Sequence, residues 1–138
     1  MKIRNAVNAD FADIHALNQE VLFYECHENQ FKDILSLAWH ALFVVEEDDK
    51  IIGYIHTQRH YTTYFPPLLH ILALAVSPSH QGLGIATKLM NHTEQYAKEN
   101  GLEGLRLTAD CTREGAHQFY ERFGFTRTVD QLKFRKMF

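Results

Sequence analysis

The stretch HILALAVSPSHQGLGIATK, residues 70–88, decides how the rest of the chain is read. Its apolar run, Ile71 to Val76, has the length of a strand and stops at Ser77-Pro78. Gly82 and Gly84 then open a segment with helical periodicity, in which Ile85, Leu89, Thr93 and Tyr96 share one face and Ala86 and Met90 lie beside it. Asn100-Gly101 is a left-handed pair suited to end that helix. A strand that hands glycines to a helix start exposes backbone N–H groups to a phosphate. Because the run is apolar on both faces, helices are expected on both sides of the sheet.

Upstream, Lys2 to Ala6 reads as a first strand, and Asn8 or Asp10 caps a helix whose buried stripe is Phe11, Ile14, Leu17 and Val21. A second helical segment lies around Phe31, Ile34, Leu35 and Leu37. Ala41–Val45 and Ile51–Ile55 are strands on either side of an acidic turn, Glu46 to Lys50. After Thr57 the chain reads as a loop through Arg59, His60, Tyr61, Tyr64 and Phe65 to the pair Pro66-Pro67. Downstream, Leu105–Ala109 is a strand, and Thr112 caps a last helix containing Ala116, Phe119, Tyr120 and Phe123 that Gly124 terminates. Thr126–Val129 and Leu132–Met137 are expected to close the sheet as a hairpin. The order β-α-α-β-β-β-α-β-α-β-β makes a mixed sheet in one α/β domain over residues 1–138.

Composition narrows the class. The 138 residues are 46% hydrophobic and 22% charged, with a formal charge of −3 and no basic block, so nucleic acid is not an expected partner. The longest apolar run is about half of the ~20 residues a membrane span needs, and the N-terminus lacks a signal-peptide core. Cys26 and Cys111 form no CxxC pattern, which fits a reduced, cytoplasmic protein. Among the 9 histidines the closest pair is His56 and His60. On a strand these stand roughly 13 Å apart, too far to share one ion, so no metal is expected.

Three kinds of glycine loop compete for residues 81–86. A Walker loop requires GxxxxGK[ST], which is absent. The dinucleotide fingerprint starts at Gly82 and Gly84 but meets Thr87 at its third glycine, although Glu103 follows at the right interval. A purely structural turn stays open on these residues alone. The third form is Q-x-x-G-x-A, Gln81 to Ala86, and here the chain resembles the GNAT superfamily of N-acetyltransferases, whose signature is [RQ]-x-x-G-x-[GA]. A second block, Ala116 to Phe125, is similar to the family's A-x-x-x-Y-x-x-x-G-F helix, and the order of elements agrees over nearly the whole chain.

The resemblance implies an acetyl-CoA cosubstrate and direct transfer, in a ternary complex, to a primary amine of a small molecule or peptide. It implies that Gln81, Gly82, Leu83, Gly84, Ile85 and Ala86 surround the pyrophosphate, and that Leu74, Ala75 and Val76 offer backbone to the pantetheine arm. Tyr120 matches the tyrosine that protonates the departing thiolate. Where the family often carries Asn this chain has Arg113, which is placed to reach a coenzyme phosphate instead. A lysine-like amine near pKa 10.4 costs about 4–5 kcal/mol to neutralise at pH 7, so a base or a water relay is required. His70, four residues before Leu74, is the candidate base, ahead of His56, His60 and Glu47. Phe23, Tyr24 and Tyr61, with Tyr64 and Phe65, are candidates for an acceptor pocket. A homodimer is the expected assembly. The competing reading is a non-catalytic acyl-CoA-binding or sensor module.

Overall fold

A computed structural model describes residues 1–138, which divide into two compact units, Met1–Thr108 and Ala109–Phe138. The first contains a five-stranded sheet in the order β1 (Lys2–Asn5), β2 (His40–Glu47), β3 (Lys50–His60), β4 (Leu68–Val76) and β5 (Leu105–Leu107). β1 to β4 are antiparallel neighbours, whereas β4 and β5 run parallel. Parallel neighbours need a crossover, supplied here by α3 (Ile85–Glu99). The mixed α/β architecture expected from the sequence is present.

The two faces of the sheet are covered differently. α3 buries Ile85, Leu89, Met90, Thr93 and Ala97. The buried hydroxyl of Thr93 is satisfied by donating to the Leu89 carbonyl at 2.8 Å. The opposite face packs Leu42, Val44, Tyr54 and Ala75 against Ile14 and Leu17 of α1 (Phe11–Leu17) and Phe31 of α2 (Glu28–Ser36). α1 continues into a π-helical turn, Asn18–Leu22, where the Tyr54 hydroxyl donates to Asn18 Oδ1. Burial raises the pKa of that phenol. Arg4 joins three elements: its guanidinium donates to both Asp10 carboxylate oxygens at 2.8 and 2.9 Å and to Glu46 at 2.8 Å. The Arg4 hydrogen bond holds the Asp10 carboxyl below its ordinary value, and Asp10 in turn accepts from the Val7 N–H at 2.8 Å.

Several boundaries differ from the sequence reading. β3 runs through Arg59 and His60, which were expected in a loop, because β4 begins at Leu68 and continues the ladder to His60. The acidic turn is a tight hairpin with Asp48 and Asp49 both in the left-handed region, at φ 51° and 62°. α3 begins at Ile85 rather than Gly82, since the positive φ of both glycines lies outside a right-handed helix.

The second unit holds α4 (Glu114–Phe123), ended by Gly124 at φ 113°. Its N-cap is Arg113, not Thr112, whose hydroxyl and N–H both go to Asp110 Oδ1 at 2.7 and 2.9 Å. The expected closing hairpin at 126–137 is not formed. Its alternation suits strands, but a strand exists only on a ladder, and no residue after Leu107 joins the sheet. The apolar side chains Leu132 and Phe134 are left 85% and 87% exposed.

Truncating Leu89, fully buried under the sheet, tests the α3 interface. Leu89→Ala should lower the unfolding free energy by about 2–5 kcal/mol in a urea titration; a loss within experimental error would mean that α3 does not seal this core.

Candidate active site

Ser77 ends β4 by donating its N–H to the Ile52 carbonyl at 2.8 Å, and a short 3-10 turn, Pro78–His80, leads into the glycines. Gly82 at φ 81° and Gly84 at φ 78° hold a conformation that costs other residues free energy, and space around both is open enough that a Cβ would touch nothing. Gly84 is the N-cap of α3, and no side chain caps it. The first helical bond closing on this turn is Lys88 N–H to Gly84 carbonyl at 2.9 Å. The N–H groups of Ile85, Ala86 and Thr87 therefore lie in the first turn without helical acceptors, at the positive end of the helix dipole. Gln81 folds back toward the end of β4, its side-chain amide 3.5 Å from the Val76 carbonyl. Backbone N–H groups left in this arrangement suit an anion chemically.

β4 leads directly into that loop, and one of its edges is free. Its ladder to β3 runs from Leu68↔His60 to Val76↔Gly53, but its ladder to β5 covers only Leu69↔Leu105, His70↔Arg106 and Ile71↔Leu107. From Leu72 to Val76 nothing pairs with the β5 side. The divergence coincides with an extra residue: His56 pairs with Ala73 and Thr57 with Ile71, so Leu72 is a bulge. Leu74, Ala75 and Val76 thus carry an open strand edge to which an extended ligand can add.

The sheet face opposite α3 is polar at its far end. Register pairing sets His40 beside Gln58, Gln58 beside His70, and His70 beside Arg106, one row across β2, β3, β4 and β5. His56 joins the row through a 2.8 Å bond between its Nε2 and His40 Nδ1. The His60 ring lies 6.0 Å from that of His70. Arg106 donates to His70 Nδ1 at 2.9 Å. A guanidinium only donates, so Nδ1 is the accepting nitrogen and neutral His70 carries its proton on Nε2. Burial first, then Arg106 and His60, push His70 down to about 4. Burial and His40 likewise push His56 down to about 4. His70 is therefore neutral at physiological pH but has no free lone pair. A base role at His70 requires Arg106 to let go first.

The remaining candidates fall in separate places. Phe23, left-handed at φ 62°, and Tyr24 follow the π-helical turn and are exposed. Tyr61 packs edge-on to Trp39 at 4.9 Å. Arg59 covers that Trp39 ring at 5.6 Å and reaches Asn100 at 2.8 Å, at the end of α3. Tyr61 thus belongs to an aromatic cluster distinct from the His70 row. Ile34, Leu35, His40 and Leu42 line a cleft of about 210 Å³ between α2 and β2. In the second unit, Tyr120 packs with Phe119 and Phe125, and burial raises its hydroxyl pKa. Sequence reading missed Trp39, His40, Gln58 and Arg106. Only the registers of β2, β3, β4 and β5 bring the last three to His70.

Comparison with known proteins agrees with this geometry. The model of the acetyltransferase (GNAT) family matches residues 8–125. A mycothiol acetyltransferase of Thermomonospora curvata is 33% identical over 88 residues, 63% of this chain and 28% of that protein. An aminoglycoside acetyltransferase from an uncultured soil metagenomic sample, solved with trehalose, superimposes with a TM-score of 0.86 at 26% identity, over 99% of this chain and 95% of that one. A transcriptional regulator from Bacillus halodurans superimposes with a TM-score of 0.87 at 28% identity, over 98% and 99% of the two chains. The chain spans 28% of the length of the mycothiol acetyltransferase and 64% of that of an N-alpha-acetyltransferase 50 of Danio rerio, less than two thirds of either.

The histidine environments give a titration signature. His56 and His70 stay neutral in the folded chain down to about 4, whereas in the unfolded chain they take up protons near 6.5. The unfolded state then binds more protons across this window, so stability should be intact above about 6.5 and fall as pH drops toward 4. Histidine NMR titration should place His70 near 4 and move it upward in Arg106→Gln; a midpoint near 6.5 in the unaltered protein would contradict the burial of His70 as well as the Arg106 contact.

Proposed function

Since the chain belongs to the acetyltransferase (GNAT) family, we propose that it transfers an acetyl group from acetyl-CoA to a primary amine of a small molecule or peptide, by direct attack in a ternary complex. The observation that carries this reading is the free edge of β4 running into an uncapped glycine turn. One strand thereby offers ladder bonds for a pantetheine arm and, at its end, N–H groups for a pyrophosphate. The family match crosses from one compact unit into the other, which supports treating residues 1–138 as one functional domain.

In this reading Gln81, Gly82, Leu83, Gly84, Ile85 and Ala86 enclose the pyrophosphate, and Leu74, Ala75 and Val76 pair with the pantetheine arm. A backbone donor near Leu74 polarises the thioester carbonyl. Arg113 neutralises a coenzyme phosphate. The amine nitrogen bonds to the carbonyl carbon as the carbon–sulfur bond breaks. Tyr120, its hydroxyl kept protonated by burial, gives its proton to the departing thiolate. We assign the amine's proton to a water relay rather than to His70, because Arg106 occupies the His70 lone pair. Holding both reactants supplies much of the rate, since effective molarity is worth ~7–11 kcal/mol. Phe23 and Tyr24 present exposed rings for an apolar part of the acceptor, and Tyr61 offers a second aromatic surface. No group of three or more metal-ligating side chains is present, and no step here calls for a metal. The unpaired thiols Cys26 and Cys111 fit a reducing, cytoplasmic setting.

A homodimer is supported by the apolar stretch after Phe125, which includes Val129, Leu132, Phe134 and Met137, all exposed. The competing reading, a non-catalytic acyl-CoA sensor, draws on one observation: the histidine nearest the open edge has no free lone pair.

Acetyl-CoA should raise the melting temperature, and thiol release should require an amine. Tyr120→Phe should keep the thermal shift while lowering kcat by about 10²-fold or more. Thermal shift with no thiol from any amine would leave the sensor reading instead. Sedimentation should give a dimer for the full chain and a monomer for Leu132→Glu/Phe134→Glu; a monomer before substitution would remove the assembly.

A further inference from the structure

We infer that the polar row on the sheet recognises a carboxylate, so that the acceptor is an amine that also bears a carboxylate, as an amino acid does. This rests on the acetyltransferase reading and names its substrate class. The row places His40, Gln58, His70 and Arg106 side by side across β2 to β5, with His56 and His60 flanking it. Not one of these six side chains is acidic. All six are partly exposed, so they form an accessible floor rather than a sealed core.

Arg106 is the decisive member. Of its five N–H donors, the one found in a side-chain bond goes to His70 Nδ1, and the residue forms no ion pair with any carboxylate of the chain. A half-buried guanidinium without a counter-ion is rare in a folded protein unless a ligand supplies the charge. Its planar fork matches the two oxygens of a carboxylate. The same contact fixes the neutral His70 tautomer with N–H at Nε2, which adds a second donor in the next position of the row. The Gln58 amide supplies a third, one strand further on.

The row also adjoins the open edge. His70 and Arg106 are register partners in the last stretch of β4–β5 pairing, one residue before it ends at Ile71↔Leu107. An acceptor held there by its carboxylate has its amine within a short molecule's reach of the gap where β4 becomes free. A polycationic amine, by contrast, would set its charges against Arg106.

The test uses amines in matched pairs, phenylalanine with phenylalaninamide and leucine with leucinamide, and spermidine as the polycation. A free carboxylate makes the neighbouring amine more basic, so any preference for the acid runs against the supply of neutral nucleophile. The acids are expected to exceed their amides by about tenfold or more in kcat/KM, chiefly through KM, because a donor site left without its acceptor discriminates strongly. Arg106→Gln should abolish the difference and keep the acetyl-CoA thermal shift, and Arg106→Lys should retain part of it. Amides or spermidine equal to or better than the acids would overturn the inference while leaving the acetyltransferase reading intact. If no amine releases thiol, that reading fails, and the row is judged by histidine side-chain NMR. N-acetylphenylalanine shifting the His70 Nε2–H signal while its amide does not would support carboxylate binding, and equal responses would overturn it.

Discussion

β4 is paired with β3 from end to end except at the Leu72 bulge, and with β5 at only three of its residues. That asymmetry organises the molecule. Backbone donors and acceptors left free on an edge are costly when sealed from water and useful when a ligand can take them. Here one edge of the strand is taken by β3 while the other is open from Leu72 onward. The glycine turn extends that availability by one more step, from ladder groups to the uncapped first turn of a helix. From Leu72 the β5 side of β4 is unpaired, and the N–H groups of Ile85 and Ala86 add further donors without helical acceptors.

The polar row obeys the same economy in side chains. Beneath α1 and α2 the sheet face is apolar and holds Tyr54 by one hydrogen bond to Asn18. Beyond that cover it changes to histidine, glutamine and arginine. Burial without compensating negative charge keeps His56 and His70 neutral well below their ordinary range. The arginine keeps its charge and dictates which nitrogen of His70 holds the proton. The chemistry of this face is therefore set by what Arg106 lacks, a carboxylate, as much as by what it touches.

Much of this was legible from residues 70–88. The apolar run, the glycines and the periodicity of Ile85, Leu89 and Thr93 placed a strand, a turn and a helix within a few residues of where they stand. Asn100-Gly101 ended the helix as read, with Gly101 at φ 72°. What escaped was whatever depends on pairing. Arg106 was not legible beside His70, because sequence shows a residue's place along a strand and not its neighbour across the ladder. Arg59 and His60 read as loop because the partner that extends their strand begins only after Pro66-Pro67. Residues 126–137 carried a strand pattern but found no ladder. Alternation states what a segment is able to do, and pairing depends on what other segments present to it.

The bulge at Leu72 has a further effect. Side chains of a regular strand alternate, yet Leu69 packs with Ala97 of α3 whereas Ala73 and Ala75 pack with the α1 cluster, so odd-numbered residues change sides across Leu72. β4 is written in two phases. One half faces its side chains into the row that carries His70, and the other leads to the glycine turn. A strand with a single phase would couple the two, because any shift that re-aimed one would invert the other. With a break between them, side chains of the polar row can be exchanged while the backbone that leads into the glycine turn keeps its frame.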